Sequence, residues 1–136
     1  MKYLAFNGRE YSIQPHEYVV YKDDETKKSS LHTLARSILK ELYPCDIVLE
    51  EVSIPIYNDT VNRLYADFLI PSRKIVIEVH GEQHYHYNKF FHKNKLEFAR
   101  AKVRDRVKSE WCELNSIKLI ELPYNESESE WRTRFC

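Results

Sequence analysis

The fold is decided by the stretch LYADFLIPSRKIVIEVH, residues 64–80. It predicts two strands, Leu64 to Ile70 and Arg73 to His80, because β-branched and aromatic residues are frequent in both halves. The Pro71-Ser72 pair between them predicts a turn. The two strands are therefore expected to form an antiparallel hairpin within a larger sheet.

Each strand of this hairpin carries one acid between apolar neighbours, Asp67 and Glu78. Strand alternation predicts the faces that the side chains share: Tyr65, Asp67 and Leu69 on the first strand, and on the second Val76, Glu78 and His80 opposite Ile75, Ile77 and Val79. Buried carboxylates are costly unless paired or bound to a cation, and two on adjacent strands suit Mg²⁺ or Mn²⁺. The alternative is a one-sided antiparallel sheet whose exposed face carries scattered charges.

The N-terminal residues predict a second hairpin. Asn7-Gly8 separates the short runs 3–6 and 9–13, which is the pattern of a two-residue turn with a positive φ at both positions. A further strand is expected over residues 17–21.

A helix and a strand are predicted next. Ser29 or Ser30 can cap a helix that reaches about Tyr43, and Pro44 ends it. The strand follows over residues 47–54. The helix is indicated by apolar residues at helical spacing, namely Leu31, Leu34, Ala35, Ile38, Leu39 and Leu42.

The C-terminal part predicts a long helix from about Lys89 to Leu114 and a strand over 117–122. Asn125 and Glu128 form a capping-box pattern for a last helix that ends near Arg134. The element order predicts an α/β fold with a mixed central β-sheet flanked by helices. One domain is expected over 1–136, with a hairpin extension (1–28), a core (29–122) and a C-terminal helix (123–136).

Composition excludes several classes of protein. With 136 residues, 43% of them apolar and 31% charged, the chain is expected to be globular rather than disordered. No apolar run approaches the roughly 20 residues that span a bilayer, and no basic-then-apolar leader is present, so neither a membrane partner nor secretion is expected. The three widely spaced cysteines, Cys45, Cys112 and Cys136, favour the reducing cytoplasm.

Positive charge is concentrated in one segment, although Lys+Arg and Asp+Glu balance at 21 each. Only Glu97 and Asp105 oppose this segment. Such a segment is either a phosphate-binding surface or a solvated helix face. Its cations are Lys89, Lys93, Lys95, Arg100, Lys102, Arg104, Arg106 and Lys108.

A histidine cluster follows the second strand, with His80, His84 and His86 within seven residues. Imidazole can accept or donate a proton near neutral pH. A zinc site is the alternative, although no cysteine lies near and the spacing is not diagnostic.

These residues together resemble the PD-(D/E)XK nuclease superfamily. The matching motif is Asp67 followed by Glu78-Val79-His80, with His in place of the usual Lys. The sequence is similar to the branch that contains the very-short-patch repair endonucleases and phage homing endonucleases of the E-D-x-H-D pattern. The resemblance covers about residues 29–122 and implies a restriction-endonuclease-like core.

The resemblance also implies roles for particular residues. Asp67 and Glu78 would be metal-binding acids, and the carbonyl of Val79 a third ligand. His80 and His84 would act in proton transfer, and Asp105 would be the final acid of the pattern. One position departs from the family, whose first helix begins with a Glu: His32 stands there. Either Glu50 or Glu51 on the next strand takes over the role of that Glu, or the role is lost.

The resemblance implies a Mg²⁺- or Mn²⁺-dependent DNA endonuclease, homing-endonuclease-like, of phage or bacterial origin and acting in the host cytoplasm. The phosphate contacts are expected from Lys89, Lys93, Lys95, Lys102 and Lys108. A monomer would nick one strand, and a homodimer could cut both. Two alternatives stay open: a nucleic-acid-binding module with a degenerate site, and a zinc-stabilised interaction protein that uses the histidine cluster.

Overall fold

A computed structural model describes residues 2–14, 30–57, 63–81 and 95–135. The elements, in chain order, are β1 (Lys2–Leu4), β2 (Glu10–Ser12), α1 (Ser30–Leu42), β3 (Leu49–Pro55), β4 (Arg63–Ile70), β5 (Ile75–His80), α2 (Lys95–Leu114), β6 (Lys118–Pro123) and α3 (Glu128–Thr133). The predicted strand over 17–21 lies outside the described residues. None of the helices in these ranges is long and apolar enough to cross a membrane.

Four strands form a mixed sheet in the order β3-β4-β5-β6. The first two pairings are antiparallel, whereas β5 and β6 run parallel, from Ile75 opposite Lys118 to His80 opposite Pro123. A parallel pair needs a crossover, and α2 supplies it. The predicted mixed α/β sheet is therefore confirmed, with strand ends within two residues of those expected.

Each face of the sheet is covered by a separate apolar cluster. On one side Ile38 and Leu39 of α1 and Trp131 of α3 pack on Phe68 and Ile77. The Trp131 indole also donates a hydrogen bond of 2.8 Å to the Pro123 carbonyl, which fixes α3 to the end of β6. On the other side the cluster joins α2, the N-terminal hairpin and the sheet, through Tyr3, Val76, Val107, Trp111 and Cys112 among others.

The N-terminal hairpin forms as predicted, but its turn differs. Of the two expected turn residues only Gly8 has a positive φ, of 84°, and Asn7 does not. The Gly8 amide donates to the Ala5 carbonyl at 3.0 Å, and the Ala5 amide donates to the Arg9 carbonyl at 2.9 Å. This is the longer hairpin loop that closes with a left-handed glycine, so the prediction of a two-residue turn was wrong.

The cap of the last helix also differs from the prediction. Ser127, not Asn125, is the N-cap, and its hydroxyl accepts a hydrogen bond of 3.2 Å from the Glu130 amide. The same spacing of three residues occurs twice in this stretch, at 125–128 and at 127–130. The structure uses the second, because the turn after β6 occupies residues 124–126.

Strand alternation breaks at Asp67, which corrects one predicted face. Leu69 is buried in the cluster on the α2 side, whereas Tyr65 is 62% exposed, so these two residues do not share a face. The β3–β4 ladder pairs residues on both sides of this point but omits Asp67 and the residue opposite it, Glu51, whose φ is 51°. The left-handed residue rotates β3 locally, and the ladder is interrupted at the acid.

Candidate active site

Asp67 and Glu78 lie side by side where β4 and β5 separate. The last backbone pair of this ladder is Phe68 with Ile77. Beyond it, side chains replace the ladder: the Asp67 amide donates to Glu78 Oε2, and the Val79 amide donates to Asp67 Oδ2, both at 2.8 Å. Each carboxylate therefore accepts a backbone N–H of the opposite strand. The structure brings together the two acids that the sequence indicated and holds both in fixed positions.

Lys108 of α2 completes this pair, a contact that the sequence did not indicate. Its ammonium donates to Glu78 Oε1 in an ion pair. The Glu78 side chain is buried, with 4% of it exposed, and the Lys108 side chain is largely covered, with 13% exposed. Burial lowers the pKa of Lys108, and the negative charges of Asp67 and Glu121 oppose that shift. The ammonium of Lys108, which was expected to contact phosphate, forms an ion pair with the second acid in the structure.

Two oxygen atoms at this point are candidate donors to a hard cation. Among the described contacts Asp67 Oδ1 accepts no hydrogen bond, since Val79 bonds to Oδ2. The carbonyl and amide of one residue point to the same side of a strand, so the Val79 carbonyl points toward β4, whose Asp67 carboxylate accepts the Val79 amide. Mg²⁺ commonly takes one or two carboxylates and keeps several waters. Both Glu78 oxygens already accept hydrogen bonds, so Asp67 and the Val79 carbonyl are the better candidates to bind the metal. Within the described ranges, no group of three or more His, Cys, Asp or Glu residues could hold a metal ion.

His80 of β5 and Asp105 of α2 are the two other predicted catalytic residues that the structure describes. His80 is buried on the Glu78 side of β5, and its Nδ1 is 3.8 Å from Glu121 Oε2 on β6. Asp105 precedes Lys108 by three residues on α2 and is partly exposed. His84, predicted as a proton carrier, lies outside the described residues, as do Lys89 and Lys93.

Cys112 follows Lys108 by one helical turn and is buried. Burial raises the pKa of its thiol to about 12, although Lys108 opposes the shift. The thiol is therefore protonated at neutral pH and is neither a nucleophile nor a thiolate ligand.

A second polar cluster lies on the α1 side of the sheet. Arg36 Nη2 donates to Glu50 Oε1 at 2.6 Å and its Nε donates to Oε2 at 3.2 Å, while His32 Nε2 also contacts Oε1. The His32 ring stacks on Phe68 with centroids 4.7 Å apart. Of Glu50 and Glu51, the two residues considered as replacements for an acid at position 32, Glu50 contacts His32 and Arg36 of α1.

Glu50 is expected to stabilise the fold. Burial alone would raise its pKa, but the hydrogen bonds from His32 and Arg36 outweigh burial and lower the pKa below the ordinary 4.5. Because the folded-state pKa is the lower one, the stabilisation is complete above the unfolded-state pKa and is lost as the pH falls through the folded-state value. Glu50→Gln should cost about 1–3 kcal/mol at pH 7, and this cost should shrink in acid. Urea unfolding at neutral and acidic pH checks this, with Glu51→Gln as control; a cost that does not change with pH contradicts it.

Comparison with known proteins shows similarity to three viral proteins. The chain is 40% identical over 65 residues to "Uncharacterized protein 033L" of Invertebrate iridescent virus 3, covering 48% of this chain and 34% of that protein. It is 41% identical over 61 residues to "Uncharacterized protein 307L" of Invertebrate iridescent virus 6, and 38% identical over 73 residues to "Uncharacterized protein 094L" of Frog virus 3 (isolate Goorha). These matches cover 45% and 53% of this chain.

The chain spans less than half the length of each of these relatives, from 31% to 47%. None of the three comes from a phage or a bacterium, the origins that the resemblance implied. No protein-family model matches the chain, and no solved structure matches it.

Proposed function

We propose that the protein is a metal-dependent endonuclease that hydrolyses phosphodiester bonds in DNA at the Asp67–Glu78–Lys108 cluster. One observation supports this proposal above the others. Asp67 and Glu78 are held by backbone hydrogen bonds where β4 and β5 separate, and the Lys108 ammonium of α2 pairs with Glu78. A lysine whose pKa is lowered by burial and that is held beside two carboxylates is typical of catalytic sites. Glu78 is buried and Asp67 is partly buried, so both carboxylates carry a desolvation cost that a functional site would explain.

Each residue has a defined task in this proposal. Asp67 and the Val79 carbonyl would hold Mg²⁺ or Mn²⁺, which when bound lowers the pKa of a water and polarises the phosphate. Glu78 fixes β4 through the Asp67 amide and anchors Lys108. Lys108 places a positive charge beside the reacting phosphate and, with its lowered pKa, can give a proton to the leaving oxygen more readily than a surface lysine. His80 and His84 remain the other proposed proton carriers.

Incubating supercoiled plasmid with the purified protein and Mg²⁺ or Mn²⁺, with and without EDTA, tests the proposal. We expect metal-dependent nicking or linearisation. DNA binding without any cleavage would instead favour a binding module with a degenerate site. Tightly bound stoichiometric zinc, together with no cleavage, would favour the zinc-stabilised interaction protein.

A further inference from the structure

Arg100 and Arg104 lie on the same face of α2 as Lys108. Arg100, Arg104 and Lys108 are spaced at i, i+4 and i+8, so they lie on one face of the helix, one turn apart. Lys108 shows where this face points, because its ammonium reaches Glu78 in the sheet. This row of three cations therefore extends from the candidate active site toward the N-terminal end of α2.

The two arginines face the sheet side yet remain exposed. α2 connects the end of β5 to the start of the parallel strand β6, so it runs antiparallel to β5. By helix geometry Arg104 lies about 6 Å and Arg100 about 12 Å beyond Lys108. β5 extends only two residues past Glu78, about 7 Å, so both guanidinium groups project at or beyond the end of that strand.

Neither arginine has an ion-pair partner in the part of the chain that the structure describes. Glu97 lies one turn before Arg100, on the same face of α2 and near the N-terminal end of the helix. By contrast, Lys95, Lys102 and Arg106 lie on the opposite face of α2 by helical spacing. Lys102 lies over the Phe98 ring at 5.5 Å and Arg106 lies 3.8 Å from Glu110, so these two cations already have contacts.

We propose that Arg100 and Arg104 bind backbone phosphates of the nucleic-acid strand that enters the candidate active site. The guanidinium fork matches phosphate oxygens in a bidentate manner, and unpaired exposed guanidinium groups bind without first breaking an ion pair. Their position in line with Lys108 brings the bound strand to Asp67 and Glu78. That last step rests on the proposed function, whereas the phosphate contact itself does not.

Two variants of equal charge test this inference: Arg100→Gln with Arg104→Gln, and Lys95→Gln with Lys102→Gln. Binding to a fluorescent DNA duplex is measured by anisotropy over a range of salt concentrations in EDTA, so that cleavage plays no part. The arginine variant should lose affinity about 10- to 100-fold at low salt and lower the log–log salt slope by about two. The lysine variant should change both quantities less.

Equal losses in the two variants, a larger loss in the lysine variant, or no DNA binding by the unmodified protein would overturn the inference. Thermal melting confirms that both variants are folded. Arginine-dependent binding without plasmid cleavage would refute the proposed function and keep this inference. Plasmid cleavage together with DNA binding that does not depend on the arginines would refute this inference and keep the proposed function.

Discussion

Lys108→Met should destabilise the protein by about 3–5 kcal/mol at neutral pH. The substitution keeps the length and apolar stem of the side chain but leaves the Glu78 carboxylate, 4% exposed, without its counter-ion. A buried charge without a partner costs far more than the ion pair itself gains. Urea unfolding monitored by circular dichroism in EDTA measures the change.

A double variant separates the lost ion pair from lost packing. Glu78→Gln combined with Lys108→Met removes the buried charge, and the glutamine can still accept the Asp67 amide. We expect the double variant to recover most of the stability lost in Lys108→Met. Lys102→Met, on the exposed face of the same helix, should change stability by less than about 0.5 kcal/mol. A loss below about 1 kcal/mol for Lys108→Met would contradict the buried ion pair.

Asp67→Asn should abolish DNA cleavage, with a loss of at least about 10²- to 10³-fold, and leave the protein folded. Asparagine keeps an oxygen for the Val79 amide, so the strands should remain in place. It removes the negative charge that would hold the metal and that faces Lys108. Single-turnover cleavage of a labelled duplex measures the loss, and circular dichroism checks the fold.

Asp46→Asn is the matched control for this prediction. Asp46 is also a fixed acid, bonded to Ser72 at 2.7 Å and to Arg73 at 3.1 Å, but it lies at the closed end of the β4–β5 hairpin. Its replacement should leave the cleavage rate unchanged. Similar losses in Asp46→Asn and Asp67→Asn would mean that stability, not a metal site, explains the effect.

The order of elements could be predicted from the sequence because each has a local pattern. The apolar spacing of α1, the β-branched residues of β4 and β5, and the Pro71-Ser72 turn all act over a few residues. The proximity of Asp67 and Glu78 could be predicted from the same hairpin. Within this hairpin, the predicted alternation of side chains was wrong at Asp67. A glutamate at positive φ, such as Glu51, has no sequence signal, since glutamate seldom adopts that region.

The partner of Glu78 could not be predicted. Lys108 is 30 residues away from Glu78 in sequence. It belongs to a helix with several lysines and arginines, and no sequence pattern distinguishes the one that pairs with a buried acid. Among the apolar residues of α2, Val107, Trp111 and Cys112 are buried, whereas Leu96 and Leu114 are exposed. Apolar spacing therefore does not indicate which lysine of this helix reaches a buried acid. The Arg36–Glu50 contact was missed for the same reason, because helical periodicity treats a charged residue as exposed.

A Mg²⁺ titration shows whether Asp67 belongs to a metal-dependent hydrolytic site. Single-turnover cleavage of a labelled DNA duplex is measured for the unmodified protein and for Asp67→Asn from no added metal, in EDTA, to saturation. We predict no cleavage in EDTA, a rate for the unmodified protein that rises to a plateau with Mg²⁺, and no cleavage by Asp67→Asn at any concentration. Equal rates for the two proteins, or a rate that is unchanged in EDTA, would contradict the account.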